Sequence, residues 1–131
     1  MVDVRDASGL VGAFEQLRRQ GADAVVVVSD PLLHAQSRRI IELAERNRLP
    51  TFYEQRLFTD GGGLLSYGPG RLDRFQRAAV YIDRILRGAK PAELPIERPT
   101  KFELVLNLKA ARALGLAIPQ AVLLQADDVI Q

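Results

Sequence analysis

The sequence contains no cysteine, no tryptophan, one methionine and one histidine. Without cysteine the chain can form no disulfide, no thiolate metal site and no thiol nucleophile. Because only one imidazole is available, metal chemistry would have to rest on carboxylates. These absences exclude the thiol enzymes and the zinc sites that are built from cysteine.

Long apolar runs and a one-sided charge are also lacking. No apolar stretch approaches the ~20 residues that span a bilayer, and Met1–Asp6 lacks the basic-then-apolar pattern of a signal peptide. We therefore expect no membrane insertion and, for the chain as written, a cytoplasmic location. The 18 basic and 16 acidic residues are scattered, with a net charge of +2. Since no basic stripe emerges, we expect no nucleic-acid partner.

What is present is typical of one folded domain. The chain has 131 residues, of which 47% are hydrophobic and 26% charged, a balance unlike that of disordered chains. Strand-like and helix-like apolar runs alternate, which is typical of βα units that feed a mostly parallel sheet. We predict that residues 1–131 form a single three-layer αβα domain with about five strands.

The clearest strand is Ala24–Val28, whose β-branched run without alternation predicts a central strand covered on both faces. Asp30 can cap the helix that follows it, with Pro31 at the first helical position. The remaining predicted strands are Val2–Val4, Leu49–Tyr53, Leu64–Tyr67 and Phe102–Leu106, and a last turn or helix is predicted to run from Ile118 to Val129.

A helix from Leu72 to Leu86 is predicted by apolar residues at alternating spacings of three and four, namely Phe75, Ala79, Ile82 and Leu86. The segment after it contains three prolines and no periodicity, which predicts an extended connector. We treat residues 71–87 and 88–100 as the parts of the domain that could be exchanged with, or packed against, another chain.

Ligands of parallel α/β sheets bind beyond the carboxyl ends of the strands. The candidate ligand-binding residues at these ends are Ser29, Asp30, Tyr53, Glu54, Ser66 and Tyr67. Three of them have a structural alternative: Asp30 can serve only as a helix cap, Tyr67 can cover the end of the sheet, and Glu54 can be a solvated loop residue.

No catalytic residue, metal site or cofactor is predicted. His34 has no nucleophile poised beside it, and Gly61–Gly63 lacks the lysine and hydroxyl of a phosphate-binding loop and precedes a strand. Asp127 and Asp128 are adjacent and point apart, so we interpret them as a solvated tail. A phospho-receiver domain would need paired acidic residues after its first strand, and only Asp6 lies near that position. We therefore do not favour a phospho-receiver.

Two long motifs resemble those of a known family. Gly61-Gly62-Gly63-Leu64-Leu65-Ser66-Tyr67-Gly68-Pro69 and, about thirty residues later, Pro99-Thr100-Lys101-Phe102-Glu103-Leu104-Val105-Leu106-Asn107-Leu108-Lys109 resemble the closing third of ABC-transporter solute-binding proteins of the amino-acid type. The resemblance covers about Val2 to Ile130. It implies a flavodoxin-like lobe of the type I periplasmic-binding fold, no enzymatic activity, and a small solute, such as an amino acid, near the candidate residues.

The resemblance extends over only part of such a protein. Full-length relatives are two-lobed, extracytoplasmic, and read by an ABC permease, whereas the family's first lobe has no counterpart here. We therefore expect the apolar stripe of residues 72–86 to need a partner, and a homodimer would supply one. The alternative function is a self-associating scaffold domain that keeps the fold but has lost ligand binding.

Overall fold

The computed structural model describes the backbone of residues 1–131 and the side chains of residues 1–70 and 75–131. In chain order the elements are α1 (Gly9–Arg19), β1 (Val25–Val27), α2 (Pro31–Ala35), α3 (Ser37–Arg46), β2 (Thr51–Tyr53), α4 (Arg56–Asp60), β3 (Leu65–Pro69), α5 (Arg71–Leu86), a 3-10 turn (Pro91–Glu93), β4 (Phe102–Asn107), α6 (Leu108–Ala113), α7 (Gln120–Leu123) and β5 (Asp128–Ile130). No helix in the described part of the chain is long and apolar enough to cross a membrane.

The strands form one sheet in the order β1-β2-β3-β4-β5. Pairing is parallel between β1 and β2, between β2 and β3, and between β4 and β5, whereas β3 and β4 run antiparallel. The predicted α/β fold with a mostly parallel sheet of about five strands is confirmed. Because β4 reverses direction, its amino-terminal end lies at the same edge of the sheet as the carboxyl ends of the first three strands.

The core lies where α1, α3 and α4 pack against one face of the sheet. Its members are buried and almost entirely apolar: Leu10, Phe14, Val27, Ile40, Leu43, Ala44, Leu49, Tyr53 and Phe58. The spacing of apolar residues explains which side of α3 packs on the sheet. Its buried residues are Ile40, Leu43 and Ala44, which recur at three- and four-residue spacing. The helix that starts at Pro31 ends at Ala35, and Gln36 caps α3, which follows it.

Two predictions about the start of the sheet are wrong. Residues 2–4 form no strand, and β1 lies at the edge of the sheet instead of its centre. β1 is also not covered on both faces, because the side chains of Val26 and Val28 are 65% and 69% exposed. The physical reason is that a strand needs a ladder partner, and residues 2–4 do not pair with β1 although they lie near it.

The last segment also differs from its prediction. The helix predicted to reach Val129 ends at Leu123, and residues 128–130 instead form β5 beside β4. Asp127 explains the switch: its backbone N–H donates to the carbonyl of Leu104, and its carboxylate accepts from the N–H of Leu104 at 2.8 Å. The aspartates at 127 and 128 are therefore not a solvated tail.

We call α5 together with residues 87–100 the arm. Its two halves are tied by Arg77, which donates to Glu97 at 2.6 Å and to Thr100 at 2.9 Å, and by the Tyr81 hydroxyl, which donates to the carbonyl of Pro95. The predicted stripe is exposed along its described length, with Phe75 at 68% and Leu86 at 82%. The prediction for Leu72 lies outside the described side chains.

Candidate ligand-binding edge

Ser29 and Asp30 follow β1 directly and are both exposed. Asp30 has an extended backbone, and its Oδ1 accepts the N–H groups of Leu32 at 2.7 Å and Leu33 at 3.4 Å. The predicted helix cap is thus confirmed. Both bonds use Oδ1, so the second carboxylate oxygen can accept another donor. Ser29 Oγ lies 3.1 Å from Nε2 of His34, so the expectation that no serine hydroxyl lies beside His34 is wrong.

Glu54 follows β2, and its backbone lies directly against Gly68 of β3, which has no side chain. A Cβ atom added at Gly68 would overlap the carbonyl oxygen of Glu54, so only glycine allows the two backbones to approach this closely. The Glu54 side chain is exposed. The structure therefore fixes the backbone of Glu54 at the edge of the sheet and leaves its carboxylate open to solvent.

Tyr53 and Ser66 do not present their side chains at this edge. Both are 1% exposed and point into the core from a row of the sheet that also contains Val27. The Tyr53 ring stacks on Phe58 with centroids 4.5 Å apart, and burial raises the pKa of its hydroxyl to about 12. Ser66 Oγ has no hydrogen-bond partner among the described residues.

Tyr67 points to the opposite face, as strand alternation requires. It is 49% exposed and stacks on Phe102, with ring centroids 5.5 Å apart. Together the two rings form an accessible aromatic surface. Sequence reasoning missed Phe102, because its position beside Tyr67 follows from the antiparallel pairing of Pro69 with Phe102, and no local pattern indicates that pairing.

Arg56, the first residue of α4, makes ion pairs with two carboxylates. It donates to Asp60 at 3.1 Å, one turn later in α4, and to Asp128 in β5. The hydrogen bond with Asp128 is the largest of the effects that raise the pKa of Arg56. Arg56 therefore ties α4 to the last strand of the sheet, and its charge is already balanced by two carboxylates.

Metal-binding chemistry finds no support in the described part of the chain. Within residues 1–70 and 75–131, no group of three or more aspartate, glutamate or histidine side chains is placed to hold a metal ion. The edge instead combines acidic groups, hydroxyls and aromatic rings. Such a set can bind a small solute that carries an ammonium group and an apolar side chain.

Comparison with protein families gives a match to the ABC transporter substrate binding protein family over residues 3–130. The chain belongs to this family. Comparison with curated protein sequences finds no match. The family match extends over nearly the whole chain. It therefore confirms the family that the two sequence motifs suggested.

Solved structures agree with membership of this substrate-binding family. A conserved domain protein from Vibrio cholerae O1 biovar El Tor superposes with a TM-score of 0.89 at 23% identity, over 98% of this chain and 43% of that one. An ABC domain in complex with L-Trp from Streptococcus pneumonia gives 0.87 at 25% identity, over 97% and 43%.

A ligand-free, open substrate-binding protein with adhesive properties from Clostridium difficile gives a TM-score of 0.68 at 16% identity, over 98% of this chain and 42% of that one. In all three cases the chain spans less than half the length of the protein it matches. The three structures show the fold that this chain shares with part of each of those proteins.

Proposed function

We propose that this chain is a non-enzymatic solute-binding lobe for ABC-transporter uptake, with an amino acid as the class of solute. The observation that carries the proposal is the family match over residues 3–130. The amino-acid class is supported by one structural relative, at 25% identity, that is described as a complex with L-Trp.

The side chains proposed to face the solute are those of Ser29, Asp30, Glu54 and Tyr67. Asp30 would accept the ligand ammonium group through Oδ2, because its helix cap occupies only Oδ1. The exposed rings of Tyr67 and Phe102 would contact an apolar or aromatic ligand side chain. Tyr53 and Ser66 would support this edge from the core side, where their side chains are buried.

In a complete, extracytoplasmic two-lobed protein, closure of the first lobe over this edge would trap the solute, and an ABC permease in the membrane would read the closed form. For the chain by itself we propose a homodimer in which a second copy covers the arm. The support is the exposed stripe of Phe75, Ile82 and Leu86, since apolar surface of this kind is usually an interface.

Calorimetric titration with a panel of amino acids tests the binding role. We expect saturable heat for at least one amino acid, and we expect Asp30→Asn to weaken it by about tenfold or more, because a charge-assisted hydrogen bond is lost. Asparagine can still cap α2, so this change removes the charge and retains the helix start.

Asp23→Asn is the matched control, because Asp23 is an exposed aspartate that precedes β1 and lies away from the candidate edge. Its affinity should equal that of the unchanged protein. Equal weakening by both substitutions would contradict a specific role for Asp30. Silence across the whole panel, with a stable dimer in solution, would favour the scaffold function, which the exposed arm also fits.

A further inference from the structure

A cavity of about 340 Å³ lies at the edge of the sheet opposite to the candidate ligand-binding edge. Its lining includes Leu49, which lies just before β2, and Leu64, which directly precedes β3. It also includes Asn107, the last residue of β4, which runs antiparallel to β3. The cavity is bordered by α3, residues 61–64 and α6, and its lining includes neither the arm nor residues 1–4.

The glycine-rich segment forms one wall of this cavity, and its backbone donors are already used. The N–H groups of Gly61, Gly62 and Gly63 donate to carbonyl oxygens of α4 at 3.1, 3.1 and 2.8 Å. A Cβ atom added at Gly63 would lie 2.5 Å from the Tyr53 ring, so this wall packs directly on Tyr53. The three glycines therefore shape the cavity and offer no free N–H group to an anion.

One buried side chain in the cavity has a hydrogen-bond donor without a partner. Asn107 is 6% exposed, and its Oδ1 accepts the N–H of Ala110 at 3.0 Å. That bond fixes the orientation of the carboxamide, and Nδ2 donates to no group among the described residues. In the same part of the chain, the unpaired side-chain atoms that are sealed from solvent are Thr59 Oγ1 and Ser66 Oγ. Since Asn107 lines the cavity, its Nδ2 opens into it.

The charged side chains of the lining lie at its rim and balance one another. They are Arg38, Glu42, Glu45 and Lys109, all of which are exposed. Arg38 pairs with Glu42 at 3.4 Å. Because two basic and two acidic groups give the rim no net charge, it favours neither an anion nor a cation.

The interior of the cavity restricts the ligand further. Apart from Thr51, Tyr53 and Asn107, the residues inside the rim are aliphatic or glycine. The Thr51 hydroxyl already donates to the carbonyl of Leu49 at 2.9 Å. A charged group would be costly to bury here, whereas an oxygen acceptor would satisfy Nδ2 of Asn107. The volume lies at the lower end of the range of about 300–1,000 Å³ for small-molecule sites, so the ligand must be compact.

We propose that this cavity binds a small, uncharged and largely apolar molecule that carries a carbonyl oxygen, and that this oxygen accepts a hydrogen bond from Nδ2 of Asn107. The site is separate from the solute edge. A free amino acid carries two charges and does not suit this interior, so binding here would hold even if the chain bound no amino acid.

Nuclear magnetic resonance of the isotope-labelled, unchanged protein is the primary test, with acetophenone as the probe. At millimolar acetophenone the side-chain amide signal of Asn107 should shift and saturate. The side-chain amide of Asn47 serves as the internal control, because its Nδ2 already donates to the carbonyl of Leu43 at 2.7 Å and it lies outside the lining. Its signal should not move. The absence of a saturable shift at Asn107 would overturn the proposal.

Two related molecules define the chemistry of the site. 2-Phenylpropene has the shape of acetophenone with a methylene group in place of the oxygen, and it should bind about tenfold more weakly because the Asn107 donor stays unpaired. Benzoate adds a charge and should also bind at least about tenfold more weakly. Equal affinities for acetophenone and 2-phenylpropene, or tighter binding of benzoate, would overturn the proposed ligand class.

Asn107→Asp tests the donor from the protein side. Aspartate keeps an oxygen that can cap α6 and removes the N–H. The ratio of the acetophenone affinity to the 2-phenylpropene affinity should therefore fall from about ten to about one. A ratio that stays near ten would show that Asn107 is not the donor and would overturn the proposal.

If Asn107→Asp does not fold, Ala110→Leu tests the cavity itself. The larger side chain fills the space, so both ligands should lose their saturable signal. Ala121→Leu in α7 is the matched control, because Ala121 lies outside the lining, and this variant should bind both ligands as the unchanged protein does. Unchanged binding by a folded Ala110→Leu variant would place the ligand elsewhere and overturn the proposal.

Discussion

Gly68 in β3 packs directly on the carbonyl oxygen of Glu54, the residue that follows β2. This contact sets how closely the two strands approach at the candidate ligand edge. We expect Gly68→Ala to destabilise the fold by about 3 kcal/mol, because the added methyl group overlaps backbone atoms that cannot rotate away. Chemical denaturation monitored by circular dichroism would measure the loss.

The control for this substitution is Gly12→Ala in α1. A Cβ atom at Gly12 meets nothing within 4 Å, and alanine is favoured over glycine inside a helix by about 0.5–1 kcal/mol. The two glycine replacements should therefore shift stability in opposite directions. A tolerated Gly68→Ala, with an unchanged denaturation midpoint, would contradict the close approach of the strands.

Tyr53 should make the fold sensitive to alkali. Burial raises the pKa of this hydroxyl from 10.0 to about 12, so the folded state favours the protonated form more strongly than the unfolded state does. The resulting stability is complete below pH 10 and is lost as the pH rises toward 12. About 2 to 3 kcal/mol should disappear over this window.

Tyr53→Phe isolates this effect, because it keeps the ring that stacks on Phe58 and removes the ionisable group. The free energy of unfolding of the variant, measured between pH 9 and 12, should decline less steeply than that of the unchanged protein. Parallel declines for the two proteins would show that other groups cause the alkaline loss.

Ser66→Ala should stabilise the protein or leave it unaffected. The Ser66 hydroxyl is buried without a hydrogen-bond partner among the described residues, and removing such a group relieves a cost of about 1 kcal/mol. Thr51→Val is the contrasting change, since the Thr51 hydroxyl is equally buried but donates to the carbonyl of Leu49 at 2.9 Å.

We expect Thr51→Val to lose about 1 kcal/mol where Ser66→Ala loses nothing, as measured by thermal unfolding. The same Ser66 variant also bears on the binding edge. Its amino-acid titration should match that of the unchanged protein, because the side chain faces the core. A large fall in affinity would assign Ser66 a direct contact with the solute after all.

Phe75→Asp tests whether a second copy covers the arm. We expect the unchanged protein to sediment as a dimer at micromolar concentration and the variant as a monomer, because a charge in the middle of the stripe would be buried without a partner. Gln76→Asp adds the same charge at an exposed position outside the stripe and should leave the dimer intact. A stable monomer of the unchanged protein would refute the homodimer.

The alternating apolar runs were sufficient to predict most of the fold. The Asp30 cap, the α5 helix and the strand that begins at Phe102 all follow from local chemistry, and the structure contains each of them. Local chemistry does not determine the neighbours of a strand. For that reason the edge position of β1 and the strand at residues 128–130 were mispredicted.

The candidate site was predictable in outline only. The rule that ligands bind beyond strand ends located Ser29, Asp30 and Glu54, which are exposed at their strand ends. It could not separate Tyr67 from Ser66, because the side-chain alternation of β3 depends on the register with β2 and β4. The stacking of Phe102 on Tyr67 likewise depends on a contact between residues far apart in the chain.

The arm is held together by its own hydrogen bonds, from Arg77 to Glu97 and from Tyr81 to Pro95. Every described side chain of α5 is exposed except those of Arg77 and Tyr81. A fluorescent label at Arg87 would therefore report the binding of another molecule to the arm, while the rest of the domain kept its native structure.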